Sequence, residues 1–597
     1  MNITRVFDIL ELHKGTYQKD DLLCSKVNLP PGQVGKQWKK YSSNDFVHYS
    51  NLVSSGLLSL GLDKDDKVAI ISGNRPEWCF VDYGCQQTGI VTVPIFPTAS
   101  NHDLKFILNH AEVKVIFIDD KNVYAKLAAI EKEISGVKHV ISFNKLEGVA
   151  CFFDFIEAAG KHIPIEKIDA IKKTITPHDL LTILYTSGTT GIPKGVMISH
   201  NNLVQNVISI QDFAPFASWW KSLSFLPLNH VYERMLITLY LYKGISTYFA
   251  EGFETIGDNL KEVQPQIFVS VPRLIERVWE KISAAGEKLT GVKRKLFDWS
   301  VRLALKYEPD GVNGPFYEMQ RKIADKLIYS KWRGAIGGKL VCLASGGAAL
   351  NPKLERIFLC ANIVVLQGYG LTETCVVVSV NHFGKGNIRI GCVGPVINNV
   401  EVKIAEEDGE ILVKGPSIML GYYKNKEATD EVMDAEGWFH TGDVGKFEGR
   451  FLKITDRKKE IFKTSAGKYI APLAIENKLK ECRFIEQSMV VGEGQKFASA
   501  LIVPNFINFK EYCKQNNIEW KDNATMSQQP ELKNIINDHI KRVNDSLAPF
   551  EQLKRCEILK NEWTIEGGEV TPKLSLKRKV IKEKNLDLIN KIYALES

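Results

Sequence analysis

Several features that define whole classes of protein are missing from this sequence. No run of about 18 uninterrupted apolar residues occurs, so we predict no membrane-spanning helix. The first residues, Met1–Asp8, lack the basic and then apolar layout of a secretory signal peptide. The eleven cysteines are scattered without a Cys-x-x-Cys pair, which argues against a disulfide framework or a zinc site. We therefore expect reduced thiols in a cytoplasmic protein.

The sequence also has little excess of charge of one sign. Its 77 Lys and Arg against 70 Asp and Glu give a net charge of +7, which is too small to predict a nucleic-acid-binding protein. This balance leaves anionic ligands and peripheral contact with a membrane open. The 597 residues exceed what one core holds, so we expect about two to four globular domains. No feature predicts an oligomeric state.

Strands alternate with helices along the first part of the chain. Apolar strand segments occur at Lys67–Ser72, Ile90–Ile95 and Val113–Ile118, and segments of helical periodicity separate them. This alternation predicts an α/β fold whose layered, mainly parallel sheets are covered on both faces. From about residue 390 the segments become short strands and turns, which predicts a small β subdomain. The charged run Asp456–Lys459 looks like the boundary to a separate small unit.

Tyr185–Gly195 is the segment richest in groups that bind anions. It combines Ser and Thr hydroxyls with three glycines and Lys194, between a strand segment and an apolar stretch that leads into a helix start. Glycine lets backbone N–H groups approach an anion, while the hydroxyls add donors and the lysine adds charge. The segment therefore predicts a polyphosphate cradle. The alternative is a Ser/Thr/Gly surface turn, and the P-loop pattern is absent.

Gln367–Thr374 follows an apolar strand segment, at the kind of strand end where open α/β sheets bind ligands. Its glycines permit close approach, Tyr369 can stack on a base, and Glu373 can ligate Mg²⁺. The third glycine of a dinucleotide fingerprint is absent. A turn with a helix cap at Thr372 is the structural alternative.

Three further segments carry candidate groups with less specific patterns. Asp443 follows a glycine in His440–Asp443, where a carboxylate suits the hydroxyls of a ribose, although an Asp that caps a turn gives the same pattern. His230 lies in Leu226–Arg234, and a lone His is more often structural than catalytic. The basic run Glu569–Lys579 fits a solvated tail equally well.

The order of these segments resembles that of the adenylate-forming enzymes, which include acyl-CoA synthetases, peptide-synthetase adenylation domains and luciferases. The resemblance rests on Tyr185–Gly195, Gln367–Glu373, Thr441–Asp443, Asp456–Lys459 and a lysine near the C-terminus. Leu226–Arg234 and Ser270–Val278 look like the long-chain fatty acid–CoA ligase branch of that superfamily. The resemblance covers nearly the whole chain.

The resemblance implies an ATP-dependent ligase that works in two steps. A fatty carboxylate attacks the α-phosphate of ATP to give acyl-AMP and pyrophosphate, and the coenzyme A thiol then displaces AMP. The implied organisation is a large N-terminal AMP-binding domain, residues 1–456 with the β-rich subdomain at about 390–456, and a small mobile α+β domain, residues 457–597. The implied cofactors and co-substrates are ATP, Mg²⁺ and coenzyme A, with a fatty acid as the remaining partner.

The resemblance also implies roles for individual residues. The implied catalytic residues are Lys573, Glu373, Thr186 and His230, with Mg²⁺ near Glu373 and Thr186. The implied phosphate-binding residues are Thr186, Ser187, Gly188, Thr189, Thr190, Gly191 and Lys194. The implied adenosine-binding residues are Gly346, Gly347, Ala348, Gln367, Gly368, Tyr369, Gly370, Thr372, Asp443 and Arg457. Lys459 matches the hinge of the C-terminal domain, and Lys463 and Gly467 match its coenzyme A channel.

The adenylation lysine is the one departure from the branch. Many long-chain members have Thr where Lys573 stands and Lys where Ser575 stands, so Lys573 follows other branches and Lys577 is the reserve candidate. Two alternatives to a CoA ligase stay open. One is a fatty acyl-AMP ligase that delivers its product to a carrier protein, and the other is a catalytically inactive acyl- or nucleotide-binding regulator. Retention of the candidate site residues argues against the regulator.

Overall fold

The structure is a computed structural model that describes residues 3–29, 35–159, 162–186, 192–564, 566–571 and 576–594. The strands in these residues are β1 (Leu23–Asn28), β2 (Lys36–Tyr41), β3 (Lys67–Ile71), β4 (Val91–Pro94), β5 (Val113–Ile118), β6 (His139–Ser142), β7 (Ala150–Cys151), β8 (Leu180–Thr186), β9 (Lys194–Ser199), β10 (Lys221–Ser224), β11 (Ser246–Phe249), β12 (Ile267–Ser270), β13 (Cys342–Ser345), β14 (Val364–Tyr369), β15 (Ser379–Val380), β16 (Glu401–Ile404), β17 (Glu410–Lys414), β18 (Gly421–Tyr422), β19 (Phe439–Glu448), β20 (Phe451–Arg457), β21 (Phe462–Lys463), β22 (Tyr469–Ile470), β23 (Ile485–Val491), β24 (Ala498–Pro504) and β25 (Leu553–Ile558).

The helices are α1 (Ile9–Gly15), α2 (Ser43–Ser59), α3 (Pro76–Gln86), α4 (Asn101–His110), α5 (Lys121–Ala129), α6 (Phe152–Ala159), α7 (Ile165–Lys172), α8 (His200–Ile210), α9 (Val231–Lys243), α10 (Ile256–Val263), α11 (Pro272–Glu287), α12 (Gly291–Ala304), α13 (Pro315–Ala324), α14 (Ser330–Ala335), α15 (Pro352–Cys360), α16 (Lys426–Asp430), α17 (Pro472–Leu479), α18 (Phe506–Gln515), α19 (Asn523–Ser527), α20 (Pro530–Asn544), α21 (Arg578–Lys584) and α22 (Leu586–Ala594). A π-helical turn, Asp325–Tyr329, joins α13 to α14.

Two eight-stranded sheets form the larger part of the molecule. Their strand orders are β15-β14-β13-β12-β10-β11-β1-β2 and β18-β9-β8-β4-β3-β5-β6-β7. The inner pairs are parallel, and antiparallel pairs occur only towards the edges, at β1–β2, β14–β15, β8–β9 and β9–β18. The prediction of mainly parallel sheets is therefore confirmed. The ends of β8 and β9 in one sheet and of β14 in the other carry two of the segments that the sequence singles out.

The helices α3 and α9 are buried and belong to a core cluster that includes residues of both large sheets. Helices with buried apolar side chains on most sides need such a position, because they have no polar face to expose. The two helices share a buried ion pair, in which Arg234 Nε lies 3.1 Å from Asp82 Oδ2. Burial raises the pKa of Asp82 even though the Arg234 charge opposes that shift. Arg234, which follows His230 in the sequence, thus has a structural partner.

A smaller antiparallel sheet follows, with the order β16-β17-β19-β20, and it corresponds to the predicted β-rich segment. The C-terminal part contains the β21–β22 hairpin and a three-stranded sheet in the order β23-β24-β25. Ion pairs join this part to α11 and α15. They are Arg273–Glu486, Glu287–Arg483 and Lys353–Glu481.

The apolar stretch after Tyr185–Gly195 forms β9, which pairs antiparallel with β8, and the helix α8 begins at His200, as the sequence predicts. One local expectation differs from the structure. Residues 1–50 show little regular periodicity, which predicts an irregular start, but α1 and β1 lie there. Ile9, Leu10 and Leu12 of α1 are buried, and this packing against the main core gives a short segment its structure.

All eleven cysteines are free thiols, and nine of them are buried. No helix in the described residues is long and apolar enough to cross a membrane.

Candidate functional site

The two strands that flank the anion-binding loop place one candidate residue at each end of it. Thr186 closes β8 and Lys194 opens β9, and the two residues are direct partners in the antiparallel pair. Both side chains are half-buried. The loop residues between them, Ser187, Gly188, Thr189, Thr190 and Gly191, lie outside the described residues, so their predicted phosphate contacts remain predictions.

Tyr422 links Lys194 to Glu373. The ammonium nitrogen of Lys194 lies 4.9 Å from the centre of the Tyr422 ring, and the Tyr422 hydroxyl donates a hydrogen bond of 3.0 Å to Glu373 Oε1. Burial, followed by the Glu373 charge, raises the pKa of Tyr422, so this hydroxyl stays a donor at neutral pH. Lys194, Thr186 and Glu373, which the sequence separates by almost 180 residues, therefore belong to one site.

The loop that carries Glu373 is tightly folded. A Cβ at Gly370 would lie 1.3 Å from the carbonyl oxygen of Val376, so only glycine fits there. Val376 itself has a φ of 99°, which is strained for a β-branched residue. The backbone of Glu373 is held as well, because its carbonyl accepts a 2.8 Å hydrogen bond from Met419 N. This loop fixes the carboxylate relative to β18 and to Lys194.

Asp443 and Tyr369 form a second cluster at the carboxyl end of β14. The Tyr369 hydroxyl donates a 2.8 Å hydrogen bond to Asp443 Oδ2, and Arg457 Nε lies 3.4 Å from Asp443 Oδ1. Asp443 is buried, and burial raises its pKa although Arg457 counteracts part of that effect. Arg457 is exposed, and it is the register partner of Asp443 between β19 and β20. A carboxylate with this support can accept hydrogen bonds from ribose hydroxyls.

The side chain of Gln367 is used by the protein itself. Its amide oxygen accepts a 3.0 Å hydrogen bond from Leu350 N, and its amide nitrogen donates to the carbonyl of Cys392 at 3.0 Å. Gln367 therefore braces the chain just after Gly346, Gly347 and Ala348, so its side-chain amide is not available to a ligand. Gly368, in the same strand, packs against the edge strand β15. A Cβ on Gly368 would lie 3.3 Å from the carbonyl oxygen of Ser379. Thr372 is buried.

His230 lies close to the Gly346 loop. It is half-buried at the N-cap of α9, and its Nδ1 accepts a 3.0 Å hydrogen bond from Tyr232 N. The Tyr232 hydroxyl in turn lies 3.1 Å from the position that a Cβ on Gly346 would take. Tyr232 therefore connects the candidate acyl-pocket residue His230 to the candidate adenine-binding loop.

The described candidate residues of the C-terminal part lie at three places in the chain. Lys463 and Gly467 are together in the β21–β22 hairpin, where Gly467 has a φ of 77° and a Cβ on it would lie 3.8 Å from Lys463 Cε. Lys459 is exposed in the turn after β20. Lys573 lies outside the described residues, and Lys577 is exposed at the start of α21.

The donor set fits Mg²⁺ bound together with a substrate. Among the residues that the structure describes, no group of three or more His, Cys, Asp or Glu side chains could hold a metal ion. Mg²⁺ keeps several waters and commonly binds through one or two carboxylates plus substrate phosphates, so Glu373 beside a phosphate loop suffices.

Sequence reasoning assigned no role to Tyr422, nor to Tyr232 and Glu233 within the segment Leu226–Arg234. Tyr422 stands in a short edge strand outside every recognised segment, and only its pairing with β9 brings it to Glu373. Glu233 is fully buried beside Ser224, whose hydroxyl donates to it, and burial raises its pKa to about 8. The only available sequence signal was a carboxylate within the apolar segment of α9.

Comparison with known families identifies the chain that carries this site. A family model for the AMP-binding enzyme matches residues 25–423, and a model for the AMP-binding enzyme C-terminal domain matches residues 459–597. This chain belongs to the AMP-binding enzyme family. The family models and the names of full-length relatives confirm the expected superfamily and its long-chain fatty acid–CoA ligase branch.

Curated relatives of this AMP-binding enzyme match almost from end to end. One is "Long chain acyl-CoA synthetase 7, peroxisomal" of Arabidopsis thaliana, at 31% identity over 97% of this chain and 85% of the relative. Another is the long-chain-fatty-acid–CoA ligase FadD15 of Mycobacterium bovis, at 31% identity over 94% and 93% of the two chains.

Solved structures support the α/β fold class. The anthranilate CoA ligase AuaEII in complex with anthranoyl-AMP superposes with a TM-score of 0.72 at 17% identity, over 97% of both chains. The A domain of a carboxylic acid reductase from Segniliparus rugosus in complex with AMP gives a TM-score of 0.73 at 20% identity, over 99% of this chain and 94% of that one. At these identities the likeness concerns the fold alone.

Proposed function

We propose that this AMP-binding enzyme is an ATP-dependent ligase that converts a long-chain fatty acid to its acyl-CoA through an acyl-AMP intermediate. The observation that carries the proposal is that Lys194, Tyr422 and Glu373 form one cluster and Tyr369 and Asp443 form a second, with the Glu373 charge close enough to raise the pKa of Asp443. Full-length relatives that are named long-chain acyl-CoA synthetases support the substrate class.

In the first step a carboxylate oxygen of the fatty acid attacks the α-phosphorus of ATP, and the bond to the β-phosphate oxygen breaks. The two anions repel each other, so the site must supply positive charge where negative charge develops. Lys194 and Thr186 would hold the leaving pyrophosphate with residues Ser187 to Gly191. Mg²⁺ held near Glu373 would neutralise the phosphate charge.

The nucleoside is held by a different set of groups. Asp443, which Tyr369 and Arg457 support, would accept hydrogen bonds from the ribose hydroxyls. The Gly346–Ala348 loop and Gly368 would lie against the adenine. His230 would line the acyl pocket near the reacting carboxylate.

In the second step the sulfur of coenzyme A attacks the acyl carbonyl, and AMP leaves with the electrons of the broken bond. The acyl phosphate has a good leaving group, so no general base is assigned to this step. We propose that residues 457–597 form a mobile domain that rotates about Lys459 between the two steps. Lys463 and Gly467 would then face coenzyme A.

Thioester formation with a panel of acids tests the proposal. The panel runs from acetate to oleate and includes an aryl acid, with ATP, Mg²⁺ and coenzyme A present. We expect long-chain acyl-CoA and one AMP for each thioester formed. Fatty-acid-dependent pyrophosphate exchange without AMP release or thioester on adding coenzyme A would favour delivery to a carrier protein. Absence of fatty-acid-dependent pyrophosphate exchange would favour an inactive binding protein.

The role of Lys573 has its own test. We propose that its ammonium group bridges the carboxylate and the α-phosphate during adenylation. The change Lys573→Ala should abolish most acyl-AMP formation and leave thioester formation from supplied acyl-AMP nearly intact. The matched control is Lys577→Ala, and loss of adenylation in that variant alone would transfer the role to Lys577.

We also propose a cytoplasmic location with peripheral membrane contact. The free cysteines suit a reducing compartment, and the lipid substrate suits membrane contact. Peroxisomal relatives make fractionation of cells the direct test. Recovery of the protein in the soluble contents of peroxisomes, apart from their membranes, would contradict the proposal.

A further inference from the structure

An apolar stripe runs along the solvent face of α13 and the π-helical turn. Phe316, Met319, Ile323 and Leu327 are exposed by 70, 52, 47 and 40%. Their spacing of three, four and four residues keeps them on one side of the helix. Val312, just before α13, is 75% exposed as well. Large side chains that share one face and remain in solvent mark an interaction surface.

The stripe is not the core face of this helix. On another face of the same segment, Ala324, Ile328 and Tyr329 are buried in a hydrophobic cluster. The hydroxyls of Tyr317 and Tyr329 anchor that side to α12, with hydrogen bonds of 2.7 Å and 2.8 Å to backbone carbonyls. The helix is thus held by one apolar face, while the stripe lies on a second face that its folding does not require.

The segment of chain that carries the stripe is strongly positive. Residues 288–339 contain twelve Lys and Arg against five Asp and Glu, a net charge of +7 that equals the net charge of the whole chain. All five acidic side chains have partners within the protein. These contacts are Asp298–Arg294, Glu308–Arg356, Glu318–Arg321, Asp325–Arg333 and Asp310 with Gly386 N.

Two lysines stand directly beside the stripe. Lys322 and Lys326 are exposed and precede Ile323 and Leu327 in the sequence. Within the described part of the chain, no carboxylate forms an ion pair with either lysine. Apolar side chains flanked by free ammonium groups match the boundary between acyl chains and anionic headgroups.

We propose that the face formed by Phe316, Met319, Ile323, Leu327 and the adjacent lysines, here called the α13 face, binds an anionic phospholipid bilayer. The apolar stripe would enter the headgroup layer, and Lys322 and Lys326 would contact lipid phosphates. The binding itself does not rest on the proposed ligase activity. Only its consequence does, which is that the enzyme collects a substrate dissolved in the bilayer.

A second copy of the chain is a poorer occupant of the α13 face. Two copies that met through it would bring two segments of net charge +7 together, and like charges across an interface oppose association. An anionic bilayer presents negative headgroups to the lysines of the α13 face and an apolar interior to its apolar stripe.

Sedimentation with vesicles tests the proposal on the full chain. The probes are vesicles of phosphatidylcholine alone and of phosphatidylcholine with phosphatidylserine. We expect the protein to pellet with the second kind at low salt and to be released at about 1 M salt, where the Debye length is about 3 Å. Neutralising two lysines, Lys322→Gln with Lys326→Gln, should weaken partitioning about 30-fold.

The apolar part of the face is tested by Phe316→Ser with Met319→Ser, which should also prevent pelleting. The matched controls change residues on or just after α18. Ile507→Ser alters an apolar residue that is 76% exposed, and Lys514→Gln with Lys521→Gln neutralises two exposed lysines. Both controls should bind vesicles like the wild type. Failure of the wild type to bind phosphatidylserine vesicles would overturn the proposal, and so would binding by the variants that equals the wild type. A dimer that the Phe316 and Met319 changes dissociate would instead assign the face to a second copy.

The catalytic consequence separates membrane binding from ligase activity. With octanoate in solution, all of these variants should match the wild type in kcat and KM. With palmitate supplied in phosphatidylserine vesicles, the α13-face variants should show a higher KM and an unchanged kcat. Inactivity of the wild type on both substrates would refute the ligase proposal while the sedimentation result stood.

Discussion

Asp443→Asn is the sharpest test of how the nucleotide is held. A carboxylate has about four lone-pair positions on its two oxygens. Tyr369 occupies one position on Oδ2 at 2.8 Å, and Arg457 lies 3.4 Å from Oδ1. One position on each oxygen is left, which matches the two hydroxyls of a ribose. The amide of Asn keeps one acceptor oxygen and loses the other.

The expected loss is therefore one hydrogen bond to a charged acceptor, worth about 1.5–3 kcal/mol, which converts to a rise of about 10- to 150-fold in KM for ATP. Stability should not fall. Burial raises the pKa of Asp443, so the carboxylate carries a desolvation cost that a neutral amide of the same shape avoids.

The assay is fatty-acid-dependent pyrophosphate exchange with ATP and with 2′-deoxy-ATP. The wild type should prefer ATP, and Asp443→Asn should lose most of that preference because the hydroxyl has lost its acceptor. Tyr369→Phe keeps the carboxylate and serves as the matched control with a smaller effect. If Asp443→Asn kept both the wild-type KM and the wild-type preference, the ribose assignment would be refuted.

Three further changes test other parts of the structure. Glu373→Gln should lower the rate of acyl-AMP formation about 100-fold and raise the Mg²⁺ concentration for half-maximal rate, and an unchanged Mg²⁺ dependence would contradict the metal assignment. Glu233 has a folded pKa of about 8 against an ordinary 4.5, so wild-type stability should fall by about 1.4 kcal/mol per pH unit between these values. Between about pH 5 and about pH 8, the melting temperature of Glu233→Gln should rise relative to that of the wild type as pH increases. Parallel plots of melting temperature against pH would refute this. Arg483→Glu should raise the rate of proteolysis of the C-terminal part. The rise should be less than about fivefold, because the ion pair with Glu287 is partly exposed. The double change Arg483→Glu with Glu287→Arg should restore the wild-type rate.

The parts of the fold that the sequence predicts are those set by local pattern. The strand Val113–Ile118 has the predicted bounds, because the helical segments on either side of this apolar run define where the strand begins and ends. The short strands after residue 390 were recognisable from turns and alternation. By contrast, α1 forms within a start that looks irregular, because its stability comes from distant core residues.

The candidate site shows the same division. Glycine and hydroxyl patterns pointed to Tyr185–Gly195 and to Gln367–Thr374, since close backbone approach demands glycine. The role of Gln367 as an internal brace and the position of Tyr422 could not be predicted from the sequence. Both depend on contacts between segments that the chain brings together only when both sheets have formed.

The state of the cysteines decides how this enzyme can be assayed. Burial raises the pKa of Cys24 and Cys375 to about 12, and only the thiolate form reacts readily with disulfide reagents. In a reaction mixture at neutral pH, a colorimetric thiol reagent can therefore follow the consumption of coenzyme A, with a protein background that comes mainly from the partly exposed Cys151 and Cys556. The same reagent should react with further protein thiols only after unfolding, so one measurement reports turnover in the native enzyme and loss of structure in a heated one.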